Sequence, residues 1–131
     1  MNRRAARVAA LQALYQIDLA DATKEAAFSA LDLSQADEAY AHRLVDGVLA
    51  HREAIDRVIA EHLVGWTLER LSYVDRAILR ISVYELLFAE DVPGKVVIDE
   101  AVELAKRFSD ERARVFINGL LSNVYHVRRR G

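Results

Sequence analysis

Cysteine is absent from this sequence, proline occurs once, and only five of the 131 residues are glycine. The lack of cysteine excludes disulfides, thiolate nucleophiles and Cys-based metal sites, and it favours a reducing, cytoplasmic environment. No segment approaches the run of about 20 apolar residues that spans a bilayer, so we expect no membrane contact. Few helix breakers, together with 53% hydrophobic residues, predict an all-α domain with a substantial core.

The residue patterns of catalytic and metal sites are missing as well. No glycine-rich phosphate loop occurs, no serine is placed beside a base, and no two histidines stand four residues apart. We therefore expect no catalytic residue, no metal ligand and no cofactor, and we predict that the protein is not an enzyme. The histidines are His42, His51, His62 and His126.

Acidic residues are absent from both ends of the chain. All 20 Asp and Glu residues lie within residues 18–111, so the ends are basic and the middle is strongly acidic. If the first and last helices pack side by side, the ends form one basic patch, as expected of a polyanion-binding protein. The alternative is that the arginines of the ends belong to solvated tails. These arginines are Arg3, Arg4, Arg7, Arg112, Arg114, Arg128, Arg129 and Arg130.

Apolar residues recur at helical spacing along the chain, and no strand-like alternation persists. In 73–89 they cover more than half of the helix circumference, which predicts a central, buried helix. Ser34 and Ser72, each followed three residues later by Asp, predict helix starts. Gly65–Trp66 predicts a linker. The segment 35–63 forms either one bent helix or two helices, and Gly47 is the point at which we expect it to bend or break. We predict helices over 3–20, 23–31, 35–63, 73–89, 95–108 and 111–126, with a single turn over 67–71.

Four blocks of the sequence resemble the NusB family, and they occur in the order found in that family. They cover nearly the whole chain, which makes the resemblance specific. The blocks are Arg3–Arg7 leading into Ala10–Gln16, then Trp66–Leu87, Asp91–Phe108 and Val115–Leu121.

The resemblance implies a NusB-like all-α fold of about seven helices in two small three-helix-type bundles. The chain would be a single NusB domain, 1–131, with approximate sub-bundles 1–64 and 65–131. The implied function is transcription antitermination without catalysis. In this function the protein binds single-stranded boxA RNA of nascent ribosomal transcripts together with NusE, a small-subunit ribosomal protein. The pair then joins RNA polymerase with other Nus factors.

The N-terminal basic motif of the family maps on Arg3, Arg4 and Arg7, which we predict to bind RNA together with the nearby Gln12. Cations at a helix N-terminus oppose the helix dipole, so an anion is expected beside them. A second candidate region surrounds the start of the last helix, where a helix N-terminus favours anions. Its members are Lys106, Arg107, Arg112, Arg114, Phe116 and Asn118. Phe116 either stacks on an unpaired base or packs in the core.

The NusE surface implied by the resemblance lies on the middle helices, at positions expected to be exposed. A ribosomal protein is strongly basic, so the acidic middle of this chain is complementary to it. Asp75 has a second interpretation as the N-terminal cap of its helix, and Arg80 is expected to pair with a nearby carboxylate. The predicted partner residues are Glu69, Arg70, Asp75, Arg76, Tyr84 and Glu85.

Several alternatives remain at this stage. An RNA-binding domain acting in ribosomal RNA maturation shares the same basic surface. An RNA-modifying enzyme is disfavoured because 131 residues leave no room for a methyltransferase domain. A purely protein-binding bundle would show no salt-dependent affinity for RNA. Some family members are monomers and others are dimers that bury the RNA face, so a homodimer stays possible.

Overall fold

Seven α-helices make up most of the chain in a computed structural model that describes residues 2–130. Met1 and Gly131, the ends of the predicted domain, lie outside the described residues, as does the Arg130 side chain. A 3-10 turn, Leu68–Arg70, precedes the fifth helix, and a π-helical segment, His126–Arg130, follows the seventh. The helices are Arg3–Ala20 (α1), Lys24–Ser29 (α2), Glu38–Ala50 (α3), Arg52–Glu61 (α4), Tyr73–Phe88 (α5), Gly94–Phe108 (α6) and Glu111–Tyr125 (α7).

Short polar side chains set the starts of most helices by accepting a hydrogen bond from a backbone N–H three residues later. The cap predicted at Ser72 is confirmed, since its hydroxyl accepts from the Asp75 N–H at 3.0 Å. The start predicted at Ser34 is wrong. Asp37 caps α3 instead, while the Ser34 N–H is held in a turn by the Asp32 carboxylate. The capping side chains are Asn2, Thr23, Asp37, Ser72 and Asp110.

The segment predicted as one bent helix or two forms two helices, and the break lies at His51 rather than at Gly47. Gly47 is an interior residue of α3. A Cβ added to it would collide with the ring of Tyr84 on α5. This glycine therefore allows α3 and α5 to approach closely and is not a flexible point.

The central position predicted for the 73–89 helix is confirmed. α5 packs against α1, α3, α4, α6 and α7, and ten of its residues are buried. α1 also packs on α2 and α3, and α6 packs on α7. The buried apolar residues of the described chain form one continuous core, and the proposed division into bundles 1–64 and 65–131 stays a prediction. Within residues 2–130, no helix has both the length and the apolar character that crossing a bilayer requires.

Arg128 and Arg129 are anchored on the protein rather than belonging to a solvated tail. The guanidinium of Arg129 donates hydrogen bonds of 2.7–3.0 Å to backbone carbonyls at the end of α5 and in the turn that follows it. Arg128 pairs with Glu61 at 3.1 Å. Helix C-termini leave carbonyls without intrahelical partners, and a cation there also complements the helix dipole. The accepting carbonyls are those of Glu85, Leu86, Ala89 and Val92.

We predict that Gly47→Ala lowers the free energy of unfolding by about 1–3 kcal/mol, because the added methyl group overpacks the Tyr84 ring. Gly119→Ala is the matched control. Gly119 is also in a helix, but a Cβ there meets no atom within 4 Å, so this change should stabilise the protein by about 0.5–1 kcal/mol. Urea denaturation of both variants measures the effects. Equal effects of the two substitutions would contradict the packing role of Gly47.

Candidate nucleic-acid interface

A buried ion pair joins the predicted RNA-binding end of α1 to the middle of α5. Arg7 and Glu85 are 4% and 1% exposed. The Arg7 guanidinium donates two hydrogen bonds to the Glu85 carboxylate, from Nε to Oε1 at 3.0 Å and from Nη2 to Oε2 at 2.8 Å. The hydroxyl of the buried Tyr40, on α3, donates to the same Oε2. Three helices therefore meet at one carboxylate.

Tyr40 and Arg7 each keep one protonation state over the physiological pH range. Burial raises the pKa of Tyr40 far above its usual value, and its hydrogen bond to Glu85 raises it further. Burial alone would lower the pKa of Arg7, but the hydrogen bond and charge of Glu85 outweigh it, so this pKa is raised. A neutral phenol and a guanidinium cation therefore both donate hydrogen bonds to the Glu85 side chain.

The expected surface placement of Arg7, Tyr84 and Glu85 is wrong. All three side chains are buried, and Arg7, expected to face RNA, is paired with Glu85, expected to face NusE. Tyr84 is covered because its ring lies over Gly47 and stacks near Phe88, with ring centroids 5.6 Å apart. The sequence pattern could not show these contacts, because Arg7 and Glu85 are 78 residues apart along the chain.

Arg3 lies at the outer edge of the same cluster. Its guanidinium stands 4.0 Å from the centroid of the Tyr40 ring, within the range of a cation–π contact. It also lies 3.8 Å from Asp91, which Arg43 binds at 3.2 Å. The Arg43 hydrogen bond holds the pKa of Asp91 below its usual value. Arg3 remains exposed, so it is available to an external anion.

Arg4 is the most exposed of the three N-terminal arginines, with 66% of its side chain accessible. Its Nε and Nη2 donate to Oε1 and Oε2 of Glu100 on α6, at 3.1 and 2.7 Å. The hydrogen bond from Arg4 lowers the pKa of Glu100, although partial burial opposes the shift. Arg4, Glu100, Lys106 and Arg107 line a shallow cavity of about 270 Å³ between α1 and the end of α6.

This arrangement changes the predicted basic patch. Within the described residues, α1 does not pack along α7, so the side-by-side packing of the first and last helices is wrong. The end of α6 lies beside the arginines of α1 instead, with Lys106 and Arg107 both exposed. The anion expected near the start of α1 is supplied by the protein itself, through Glu85, Glu100 and Asp91.

The remaining RNA candidates lie on α7 and on the middle of α1. Arg112 and Asn118 are exposed on α7, whereas Arg114 is bound to Glu111 within the first turn. Phe116 was expected either to pack in the core or to stack on a base. Its half-buried ring packs on the core and also lines a surface cavity. Gln12 is exposed at the edge of a groove of about 610 Å³, lined mainly by apolar side chains.

The predicted partner residues outside the core meet the α7 candidates at one cavity of about 330 Å³. Arg70 and Asp75 line it from one side, and Arg112 and Phe116 line it from the other. Asp75 is not the cap of α5, because Ser72 fills that position, and its buried Oδ1 has no hydrogen-bond partner among the described residues. Two further candidates lie nearby along the chain. Glu69 is exposed as expected. Arg76 is not, since only 13% of its side chain is accessible and its guanidinium stands 4.3 Å from the Tyr73 ring centroid.

Arg80 is paired as predicted. Its Nε and Nη2 donate to the Asp56 carboxylate at 2.9 and 3.1 Å, and its Nη1 donates to Asp18 at 3.1 Å. Its side chain is only 6% exposed, so both carboxylates compensate a largely buried charge. These pairs fasten α5 to α4 and to the end of α1, and Asp18 also lies 3.8 Å from Arg76.

These features define a small all-helical protein with exposed cations grouped where the start of α1 meets the end of α6. The chain belongs to the NusB family, whose model matches residues 4–126. The transcription antitermination protein NusB of Bacillus subtilis (strain 168) is 52% identical over 125 residues, which are 95% of each chain. The protein of that name from Halalkalibacterium halodurans is 49% identical over 93% of this chain and 92% of its own.

Solved structures agree with this assignment. T. maritima NusB matches with a TM-score of 0.86 and 39% sequence identity, covering 95% of this chain and 91% of that chain. A structure of the antitermination factors NusB and NusE in complex with dsRNA matches with a TM-score of 0.83 and 35% identity, covering 95% and 96%. The family and the all-α fold predicted from the sequence are confirmed.

We predict that Arg7→Ala lowers the free energy of unfolding by about 3–5 kcal/mol, because it leaves the buried Glu85 side chain without its main partner. Arg4→Ala should have a much smaller effect on stability, since 66% of the Arg4 side chain is accessible and water can take its place at Glu100. Thermal and urea denaturation distinguish the two. Similar effects of both substitutions would show that the Arg7–Glu85 pair does not hold α1 on α5.

We predict that Tyr40→Phe lowers the free energy of unfolding by about 1–3 kcal/mol at pH 7, through loss of the hydrogen bond to Glu85. The raised pKa of Tyr40 favours the folded state below the unfolded tyrosine pKa of about 10, and this contribution is lost as the pH rises further. The difference between the two proteins should therefore narrow above pH 10. A constant difference from pH 7 to pH 11 would contradict the assignment.

Proposed function

We propose that this protein is a transcription antitermination factor that binds boxA-type RNA together with NusE and joins the RNA polymerase complex. The observation that carries the proposal is the group of exposed cations where α1 meets α6, on a chain that belongs to the NusB family. The relatives described as antitermination proteins, and the related NusB–NusE structure that contains RNA, support it. In this role the protein is a cytoplasmic adaptor without catalysis.

RNA contacts are proposed to begin at the exposed residues Arg3, Arg4, Lys106 and Arg107. Guanidinium groups bind phosphate oxygens in pairs, and a lysine ammonium adds a point charge. Arg7 does not reach RNA in this proposal. It fixes the first turns of α1 on α5 and so determines where its two exposed neighbours point.

The strand would continue toward the start of α7. Arg112 supplies a further exposed cation, and the accessible edge of Phe116 offers a surface for stacking an unpaired base. Arg114 is held by Glu111 and would bind phosphate only after that pair opens. Asn118, exposed on the same helix, and Gln12 on α1 supply amide groups for hydrogen bonds to bases.

NusE is proposed to bind at the 3-10 turn and the start of α5, through Glu69, Arg70, Asp75 and Arg76. The unpaired Oδ1 of Asp75 is an acceptor without a donor, and a basic side chain of a ribosomal protein would satisfy it. Tyr84 and Glu85 support this surface from the core and do not contact the partner. Because Asp75 and Arg112 line the same cavity, NusE would bind beside the RNA in this proposal.

The test is the fluorescence anisotropy of a labelled boxA-type RNA at several salt concentrations, with and without NusE. Arg4→Gln and Arg107→Gln should each weaken binding and flatten the plot of log affinity against log salt by about 0.7, since one phosphate contact is lost. Arg57→Gln is the control, because Arg57 is also exposed but lies on α4. If all three variants have the slope of the unchanged protein, the RNA face is elsewhere.

A charge reversal tests the protein partner in the same assay. Glu69→Lys should abolish the gain in RNA affinity that NusE provides, while leaving the binding of RNA alone close to that of the unchanged protein. Glu25→Lys makes the same change of charge at an exposed position on α2, outside the proposed NusE surface, and serves as the control for charge alone. Loss of the NusE effect in both variants would indicate general repulsion rather than a contact at Glu69.

A further inference from the structure

The carboxylate of Glu100 holds Arg4 in the geometry in which an arginine holds a phosphate. Nε and Nη2 of Arg4 each donate to one carboxylate oxygen, at 3.1 and 2.7 Å, so that two parallel hydrogen bonds form. Arginine binds the oxygens of a phosphate with the same pair of donors. While this ion pair is closed, the two donors that are best placed for RNA are occupied.

The side chain of Glu100 is more buried than that of Arg4 and has a second ionic contact. Its side chain is 13% exposed against 66% for Arg4, and its Oε1 also lies 3.6 Å from Nη1 of the buried Arg7. The lowered pKa of Glu100 keeps it ionised at neutral pH. Glu100 is therefore a fixed negative charge between a buried arginine and an exposed one, and Arg4 is the mobile member of the pair.

The other cations of the same cavity are restrained unequally. Lys106 lies 3.5 Å from Glu103, but both side chains are about half exposed. Arg107 has no carboxylate within salt-bridge distance among the described residues, and its guanidinium stands 4.9 Å from the Phe108 ring centroid. Three cations line the cavity. Among them, Arg4 is the one whose Nε and Nη2 both donate to a carboxylate that the fold holds in place.

We propose that Glu100 acts as an internal competitor of RNA phosphate for Arg4 and thereby limits affinity for RNA whose phosphates are not in register with this face. The inference rests on the proposed RNA-binding function. A phosphate that reaches Arg4 must replace the Glu100 carboxylate and tolerate its charge nearby. An RNA that is also bound elsewhere on this face keeps a phosphate near Arg4 long enough to replace Glu100. An RNA that contacts only the exposed cations gains less binding free energy from this replacement.

Glu100→Gln tests this proposal, because it removes the charge and keeps the size of the side chain. Asp99→Asn is the matched control, since it removes the same charge at an exposed neighbour that pairs with Lys95 instead. Anisotropy is measured with a boxA-type RNA and with a scrambled RNA of equal length and composition. We expect Glu100→Gln to strengthen binding of the scrambled RNA by about three- to fivefold relative to Asp99→Asn, and that of the boxA-type RNA by less.

Arg4→Gln, alone and combined with Glu100→Gln, establishes the route of the effect. If Glu100 acts through Arg4, the gain disappears in the double variant, whose affinity for both RNAs equals that of Arg4→Gln. A gain that persists without Arg4, or a Glu100→Gln variant that binds no better than Asp99→Asn, overturns the competition. Failure of the unchanged protein to bind either RNA would instead refute the proposed function. The RNA affinity of the unchanged protein is therefore measured before that of any variant.

The folded state of each variant is checked by circular dichroism and thermal denaturation. Glu100→Asp gives a second measurement if Glu100→Gln proves unstable, because it keeps the charge and shortens the reach to Arg4. The scrambled RNA should then bind more tightly than to the unchanged protein, since the two-point contact with Arg4 is lost. Unchanged or weaker binding by a folded Glu100→Asp protein would contradict the proposal.

Discussion

The contact of Arg7 with Glu85 is the constraint on which the arrangement of this protein depends. It fixes the first turns of α1 to the centre of α5, and Tyr40 adds α3 through the same carboxylate. A buried pair of charges contributes little net stability unless both partners are fully hydrogen-bonded, but the loss of either partner is costly. The position of α1, and with it the direction of Arg3 and Arg4, is therefore set by electrostatics inside the core.

The three N-terminal arginines form a graded series rather than one uniform motif. Arg7 is buried and paired with Glu85. Arg3 lies over the Tyr40 ring near Asp91, and Arg4 is exposed and paired with Glu100. Each has an internal anion, so the start of α1 is nearly neutral before any ligand arrives. Binding of a polyanion at this end would exchange partners rather than neutralise bare charge, which reduces the attraction between the free protein and nucleic acid in general.

Periodicity and capping chemistry were enough to predict the helices, because both depend on neighbours within a few residues. The apolar pattern of α5 and the cap at Ser72 are examples, and the family followed from blocks of local sequence. Contacts between distant residues could not be predicted in this way. No residue near Gly47 in the sequence indicates that it packs against the ring of Tyr84, and no residue near Arg4 indicates that it pairs with Glu100. One signal was available, since arginines at a helix start without nearby acids require carboxylates from elsewhere in the fold.

The hydrogen bonds of Arg129 join the end of the chain to the end of its central helix. During synthesis α5 leaves the ribosome about 40 residues before this side chain does, which corresponds to a delay of seconds. In that interval the carbonyls that follow α5 depend on water. The last turn of α5 is therefore completed only after Arg129 has been synthesised, so that the central helix and the segment His126–Arg130 reach their final state together.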